Sequence, residues 1–183
     1  CQNTGLPAWH PPKRIGFFRH LVVRKSFQHD LLLINLVTSS DGLDQFPVND
    51  FVQLVQDILG TRCGGIIHTL NNDTGDRTEP LNGSSTLIYG VPEMQEELLG
   101  LKFQVNMKSF FQTNPKSAER LYTKAIQYCH PEGVPDGYIL DLFCGTGTIG
   151  QLVAKNTALP VVGVDIVESA IEDAKKNAVN NQV

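Results

Sequence analysis

The sequence predicts an α/β protein in two parts, a small α+β domain over residues 1–108 and the start of a doubly wound parallel-sheet domain over 109–183. Three observations carry that prediction. The first is the run Tyr138-Ile139-Leu140-Asp141-Leu142-Phe143-Cys144-Gly145-Thr146-Gly147-Thr148-Ile149-Gly150, an apolar segment with an acid near its end that passes into a glycine-rich turn. The second is its continuation, an amphipathic stretch and then Val161-Val162-Gly163-Val164-Asp165, a further apolar run ending in an acid. Strand, glycine turn, helix and strand describe the first βαβ unit of a doubly wound sheet. The third is the upstream order of strand, strand, helix, strand, strand, which belongs to an α+β domain.

The glycine turn carries the chemistry. Gly145 and Gly147 can take backbone angles closed to other residues and let a ligand lie against the main chain at a helix N-terminus, while Gly150 lets the helix approach the strand. Asp165, about 20 residues beyond Gly145, stands where an acid binds ribose hydroxyls. That spacing alone fits a nicotinamide or flavin dinucleotide as well. Asp141 separates the two, because a carboxylate beside the turn repels a pyrophosphate. It suits a cationic ligand without phosphate, and S-adenosylmethionine fits, with its sulfonium and amino group. The competing reading is that Asp141 caps a helix and the glycines only make a tight turn.

Composition narrows the class. The chain is 41% apolar and 19% charged, as globular domains are, and its net charge of -4 gives no electrostatic footprint for nucleic acid. No apolar stretch has the length of a membrane span and no signal peptide is visible. Cys1, Cys63, Cys129 and Cys144 lie far apart with no metal-ligand spacing, so no metal site and no disulfide framework is expected. An intracellular, reducing, cytoplasmic location is the expectation. Both ends look cut: the chain begins at Cys1, and the stretch from Tyr138 to Val183 is short for a domain type of roughly 100 to 200 residues. The sequence is expected to be an internal fragment.

Residues 1–14, with Pro7, Pro11 and Pro12 around Trp9 and His10, read as an extended entry segment whose tryptophan packs on the domain surface. Ile15 to Arg24 and Leu31 to Thr38 read as a hairpin. Arg14, Arg19, His20, Arg24 and Lys25 make it the most basic part of the chain, a place to look for RNA phosphate contacts or a solvated face. Phe51, Val52, Leu54, Val55, Ile58 and Leu59 form the stripe of a helix that begins near Pro47 and stops at Gly60. Gly64 to Leu70, Thr86 to Tyr89 and Leu101 to Val105 are further strands, with a polar loop at Asn71 to Asp76. His68, at a strand centre, is expected to be structural.

At the junction, Asn114-Pro115 reads as a helix N-cap with proline at the first helical position. Gln112 has no such explanation, and its amide can donate to and accept from a polar ligand. The last segment places Val167, Ala170, Ile171, Ala174 and Ala178 on one helix face, with Glu172 and Lys176 as an i, i+4 pair on the other.

Phe110-Phe111-Gln112-Thr113-Asn114, followed by Asp141-Leu142-Phe143-Cys144-Gly145-Thr146-Gly147, resembles the paired motifs of the RNA uracil-5-methyltransferases, which modify tRNA or 23S-type ribosomal RNA. Arg19 to Arg24 and Leu36 to Thr38 also resemble that family's central domain, so the resemblance covers most of the chain. It implies a Rossmann-like S-adenosylmethionine-dependent domain, incomplete here, with RNA as partner and no membrane or obligate protein partner. It implies that Asp165 contacts the cofactor ribose, Phe143 lies beside the cofactor and Gln112 lies near the methionine end. Thr148 is implied as a contact too, although the family's bacterial members carry Asn there. Cys144 reads as a small buried residue and not as a nucleophile.

The implied reaction adds a cysteine thiolate to carbon 6 of a flipped-out uridine, lets the resulting enolate take the cofactor methyl, and ends with a base removing the carbon 5 proton. In the family that Cys and the base Glu lie downstream of the region matching Ala174 to Asn181. No catalytic residue is therefore expected here, and the chain by itself is expected to be inactive. The rivals are a nicotinamide or flavin oxidoreductase, a non-catalytic cofactor- or RNA-binding module, and an amino-methylating RNA enzyme.

Overall fold

A computed structural model describes residues 2–129, 137–157 and 159–183; Cys1 lies outside them. The chain divides into two compact units, Cys1–Met94 with Asn106–Lys108, and Gln95–Val105 with Ser109–Val183. The expected division after residue 108 differs in one segment, 95–105, which the structure groups with the second unit.

The first unit is built on β1 (Phe18–Lys25), β2 (Leu32–Thr38), α1 (Val48–Leu59), β3 (Cys63–Leu70) and β4 (Ser84–Gly90). The sheet runs β1-β2-β3-β4, antiparallel at both outer pairs and parallel between β2 and β3, which α1 connects. The run Leu-Leu-Ile-Asn-Leu-Val-Thr buries every residue of β2, as a strand covered on both faces must. Phe51, Val52, Val55 and Leu59 of α1 pack on Leu32, Ile34, Cys63 and Ile66. Phe17, Leu36 and Phe46 form a further apolar cluster, with the Phe17 and Phe46 rings 5.2 Å apart. His68 is buried with its Nε2 2.9 Å from the Thr38 hydroxyl, so it is structural as expected.

The basic residues of β1 are engaged inside the unit. Arg19 donates through Nη1 to the carbonyls of Asn71 (2.9 Å) and Asp73 (2.7 Å) and through Nη2 to that of Gly75 (2.5 Å). Its guanidinium also lies 4.2 Å from the Trp9 ring. His20 meets Asp76 at 3.1 Å, Arg24 donates to the Asn106 carbonyl at 2.6 Å, and Lys25 pairs with Asp30 at 2.8 Å.

The second unit contains β5 (Glu93–Leu98), β6 (Leu101–Asn106), α2 (Pro115–Cys129), β7 (Ile139–Leu142), α3 (Thr148–Thr157), β8 (Val161–Val164) and α4 (Glu168–Asn181). β5 was not expected. It pairs with β6 through a two-residue turn at Leu99 and Gly100, both at positive φ (49° and 79°), as a type I′ hairpin requires. Leu98, Leu101, Phe103 and Val105 form a core with Ala118 and Tyr122 of α2 and Leu152 of α3. β7 and β8 pair in parallel around α3, Asp141 opposite Gly163, which is the expected βαβ unit. Asn114 caps α2 through Oδ1, which accepts the Ser117 amide at 3.1 Å. On α4, Lys176 faces Asp173 at 3.7 Å and not the expected Glu172.

Candidate cofactor site

The turn between β7 and α3 reverses the chain within a few residues. Phe143, Gly145 and Gly147 all take positive φ, 62°, 54° and 76°. Gly147 is obligatory for a second reason: a Cβ there would stand 2.8 Å from Gln151 Nε2 and 3.1 Å from the Ala174 Cβ. The Cys144 carbonyl accepts the Gly147 amide at 2.9 Å and closes the turn, and the Gly147 carbonyl accepts the Gln151 amide at 3.0 Å to start the helix. A non-glycine residue at left-handed φ carries strain that the surrounding structure must hold, and Phe143 does so with its ring 88% exposed.

Two carboxylates hold this turn. Asp165, after β8, accepts the Gly145 amide through Oδ2 at 2.8 Å and the Val167 amide through Oδ1 at 2.9 Å. The Val167 and Gly145 amides hold its carboxyl below the usual range. Asp141 accepts the Gly150 amide through Oδ2 at 2.8 Å, so it caps the first turn of α3. Burial pushes its carboxyl up, partly countered by that bond. The capping role set against a ligand role for Asp141 is therefore present, and it uses one oxygen of the two.

Gln112 is half-buried after β6 and hydrogen-bonds the Tyr122 hydroxyl. Tyr122 is buried, with Asp141 near enough to help raise its phenol beyond the effect of burial. The fold thus brings Gln112, Tyr122 and Asp141 together. Thr148 turns inward, buried, with its hydroxyl 3.2 Å from that of Thr146. Cys144 is half-buried and not buried as expected; burial raises its thiol, and Asp141 and Asp165 raise it further. Such a thiol is a poor nucleophile.

Sequence reasoning missed Tyr122, Gln151 and Asn177. Asn177 and Asn181 stand one turn apart in a helix, where asparagine is unfavourable, and that oddity was the available signal. Among the described residues no cluster of His, Cys, Asp and Glu side chains could hold a metal ion, and no helix is long and apolar enough to cross a membrane.

A family model described as a methyltransferase domain matches residues 135–183. A Clostridium tetani protein named an uncharacterized RNA methyltransferase is 38% identical over 97% of this chain and 38% of its own length. A similarly named protein of Caldanaerobacter subterraneus is 38% identical over 98% of this chain and 38% of its own. The chain therefore spans about two-fifths of the length of the curated relatives it matches. Among solved structures, the Pyrococcus abyssi tRNA (uracil-54, C5)-methyltransferase in complex with S-adenosyl-L-homocysteine superposes with TM-score 0.71. It is 26% identical over 100% of this chain and 41% of its own. The tRNA m1G37 methyltransferase of M. jannaschii shares the fold, with TM-score 0.51 at 17% identity over 95% of this chain and 48% of its own.

Proposed function

We propose that this chain, similar to proteins named RNA methyltransferases, carries in its second unit the opening of a Rossmann-like methyltransferase domain whose glycine turn binds S-adenosylmethionine. One observation carries the proposal: the turn's amides are already held by carboxylates. A pyrophosphate needs free N–H groups at a helix N-terminus. Here the Gly145 amide donates to Asp165 and the Gly150 amide to Asp141. Phosphate would meet two negative charges and two occupied donors, whereas a sulfonium and an ammonium would be attracted. This favours S-adenosylmethionine over a nicotinamide or flavin dinucleotide.

In this reading each Asp165 oxygen keeps a lone pair for a ribose hydroxyl. Phe143 offers its exposed ring to the adenine, and Gly145 and Gly147 let the nucleoside lie on the main chain. Asp141 and Gln112 receive the methionine end, Gln112 oriented by Tyr122. Thr148 acts from beneath, through Thr146. The cofactor, when bound, supplies the methyl group.

For the whole protein we place the methyl on carbon 5 of a uridine in tRNA or ribosomal RNA. Support comes from the relatives' names and from the likeness to the Pyrococcus abyssi uracil methyltransferase over the full length of this chain. Residues 1–108 then correspond to the family's central domain, although 95–105 group with the second unit. The family resemblance puts the attacking thiolate on a cysteine downstream of the region matching Ala174 to Asn181, and Cys144, whose thiol burial and two acids raise, is not the candidate.

Calorimetry with S-adenosylhomocysteine and with NADH tests the cofactor. The expected result is binding of the first and none of the second; the reverse would replace this reading with the oxidoreductase. For the chemistry, the full-length protein should release tritium from RNA carrying 5-tritiated uridine as methyl is transferred. Methylation without tritium release would assign another atom.

A further inference from the structure

Beside the turn, α4 carries two asparagines that act as peptide groups. Asn177 is fully buried; its Oδ1 accepts the Gln104 amide of β6 at 2.8 Å and its Nδ2 donates to the Thr146 carbonyl at 3.4 Å. One turn on, the Asn181 Oδ1 accepts the Lys102 amide at 2.8 Å, and its Nδ2 donates to the Lys102 carbonyl at 2.8 Å and to the Gln151 Oε1 at 3.0 Å. The spacing works because four helical residues advance about 6 Å and two strand residues about 6.6 Å, so amides at i and i+4 meet strand groups at j and j+2. The helix thereby stands in for a strand along the β6 edge. Thr146 is buried between the two glycines of the turn, before the first carbonyl that α3 uses, and its carbonyl accepts from Asn177.

We infer that Asn177 is a positioning residue for the cofactor turn, and that it couples docking of the β5–β6 hairpin to cofactor binding. The inference rests on the reading of the turn as an S-adenosylmethionine site. The Asn177 amide joins the hairpin edge directly to the turn, whereas Asn181 reaches the turn only through Gln151, so whatever fixes one end of Asn177 favours the other, and coupling of this kind is reciprocal.

Matched variants of the 183-residue chain test it. Asn177→Asp keeps the acceptor for Gln104 and replaces the donor facing Thr146 with an oxygen. Asn181→Asp makes the same chemical change one turn away, against Lys102 and Gln151, and leaves the bond to the Thr146 carbonyl in place. The expected result is an S-adenosylhomocysteine Kd raised at least tenfold by the first and less than threefold by the second, with comparable losses in melting temperature. Equal weakening by both, or none by Asn177→Asp, overturns the inference while leaving the cofactor reading intact. Failure of the wild-type chain to bind S-adenosylhomocysteine overturns both. Should Asn177→Asp not fold, amide exchange in the wild-type chain decides: ligand must slow exchange at the Gln104 amide, and an unchanged rate refutes the coupling.

Discussion

Asp165 ties its own strand end to the glycine turn, its Oδ2 taking the Gly145 amide at 2.8 Å across 20 positions while Oδ1 takes the amide of Val167. One side chain therefore shapes the turn and faces the proposed ribose. Asp165→Asn keeps one acceptor and puts a donor against an amide that also donates. We expect S-adenosylhomocysteine affinity to fall by roughly tenfold or more, the consequence of one unpaired, part-buried donor and of a lost acceptor for the ribose. Calorimetry measures it, and unchanged affinity would remove Asp165 from the site. Because the carboxyl is held low, its contribution is present above the unfolded carboxylate range near 3.8 and is lost as pH falls through the lower folded value.

Gly147 and Gly145 share positive φ and differ in surroundings. Gly147→Ala drives a methyl toward Gln151 Nε2 and Ala174, whereas Gly145→Ala meets nothing within 4 Å. The first should destabilise by about 2–3 kcal/mol, backbone strain plus displacement of the Gln151 amide, and the second by about 1 kcal/mol from backbone strain alone. Urea denaturation of the two variants resolves the difference. Equal losses would mean that packing behind Gly147 is looser than described.

His68 gives the first unit one source of acid sensitivity. Burial lowers its pKa from 6.5, so the folded state resists protonation that the unfolded chain accepts. The neutral ring's contribution is intact above pH 6.5 and declines as pH falls from there toward the folded value. Thermal melts between pH 7.5 and 5.5 should show the midpoint dropping by roughly a few degrees, with His68→Gln flattening that portion of the profile. A wild-type profile no steeper than the variant's would contradict the assignment.

Arg19 anchors the loop after β3 through carbonyls of Asn71, Asp73 and Gly75. Arg19→Ala should cost about 2–3 kcal/mol, and Arg19→Lys should recover part of it, since an ammonium cannot reproduce the guanidinium fork. Limited proteolysis should then cut within Asp73 to Leu81 faster than in the wild type. Resistance equal to wild type would show that the loop is held without Arg19, by Asn71 Nδ2 donating to the Arg77 carbonyl (2.6 Å) and Asp73 Oδ2 accepting the Leu81 amide (2.7 Å).

The βαβ unit was legible because its signals are local: apolar strands, a cluster of glycines at the turn, and an acid at each strand end. Asp141 was legible as a carboxylate near the turn, and the structure adds that one oxygen caps α3. Strand β5 was hidden because Glu93, Glu96 and Glu97 make it read as a solvated linker, yet Glu96 is 2% exposed. The fate of Arg19 was unreadable for another reason. Its partners are backbone carbonyls 52 to 56 positions away, and a carbonyl leaves no trace in residue identity. Gln112 was singled out for lacking a structural partner; Tyr122, inside an ordinary helical stripe, provides one.

The amides of Lys102 and Gln104 find their side-chain acceptors 79 and 73 positions later, on α4. Closing so long a loop carries an entropic cost that nearby contacts must offset, and a ribosome delivers the N-terminal part first. The four-stranded sheet of the first unit is complete by Gly90, so it can close while the β6 edge still lacks Asn177 and Asn181. The glycine turn is thus a late-maturing element, and a nascent chain that has not yet emerged through Asn181 carries a folded front and an unfinished cofactor cradle.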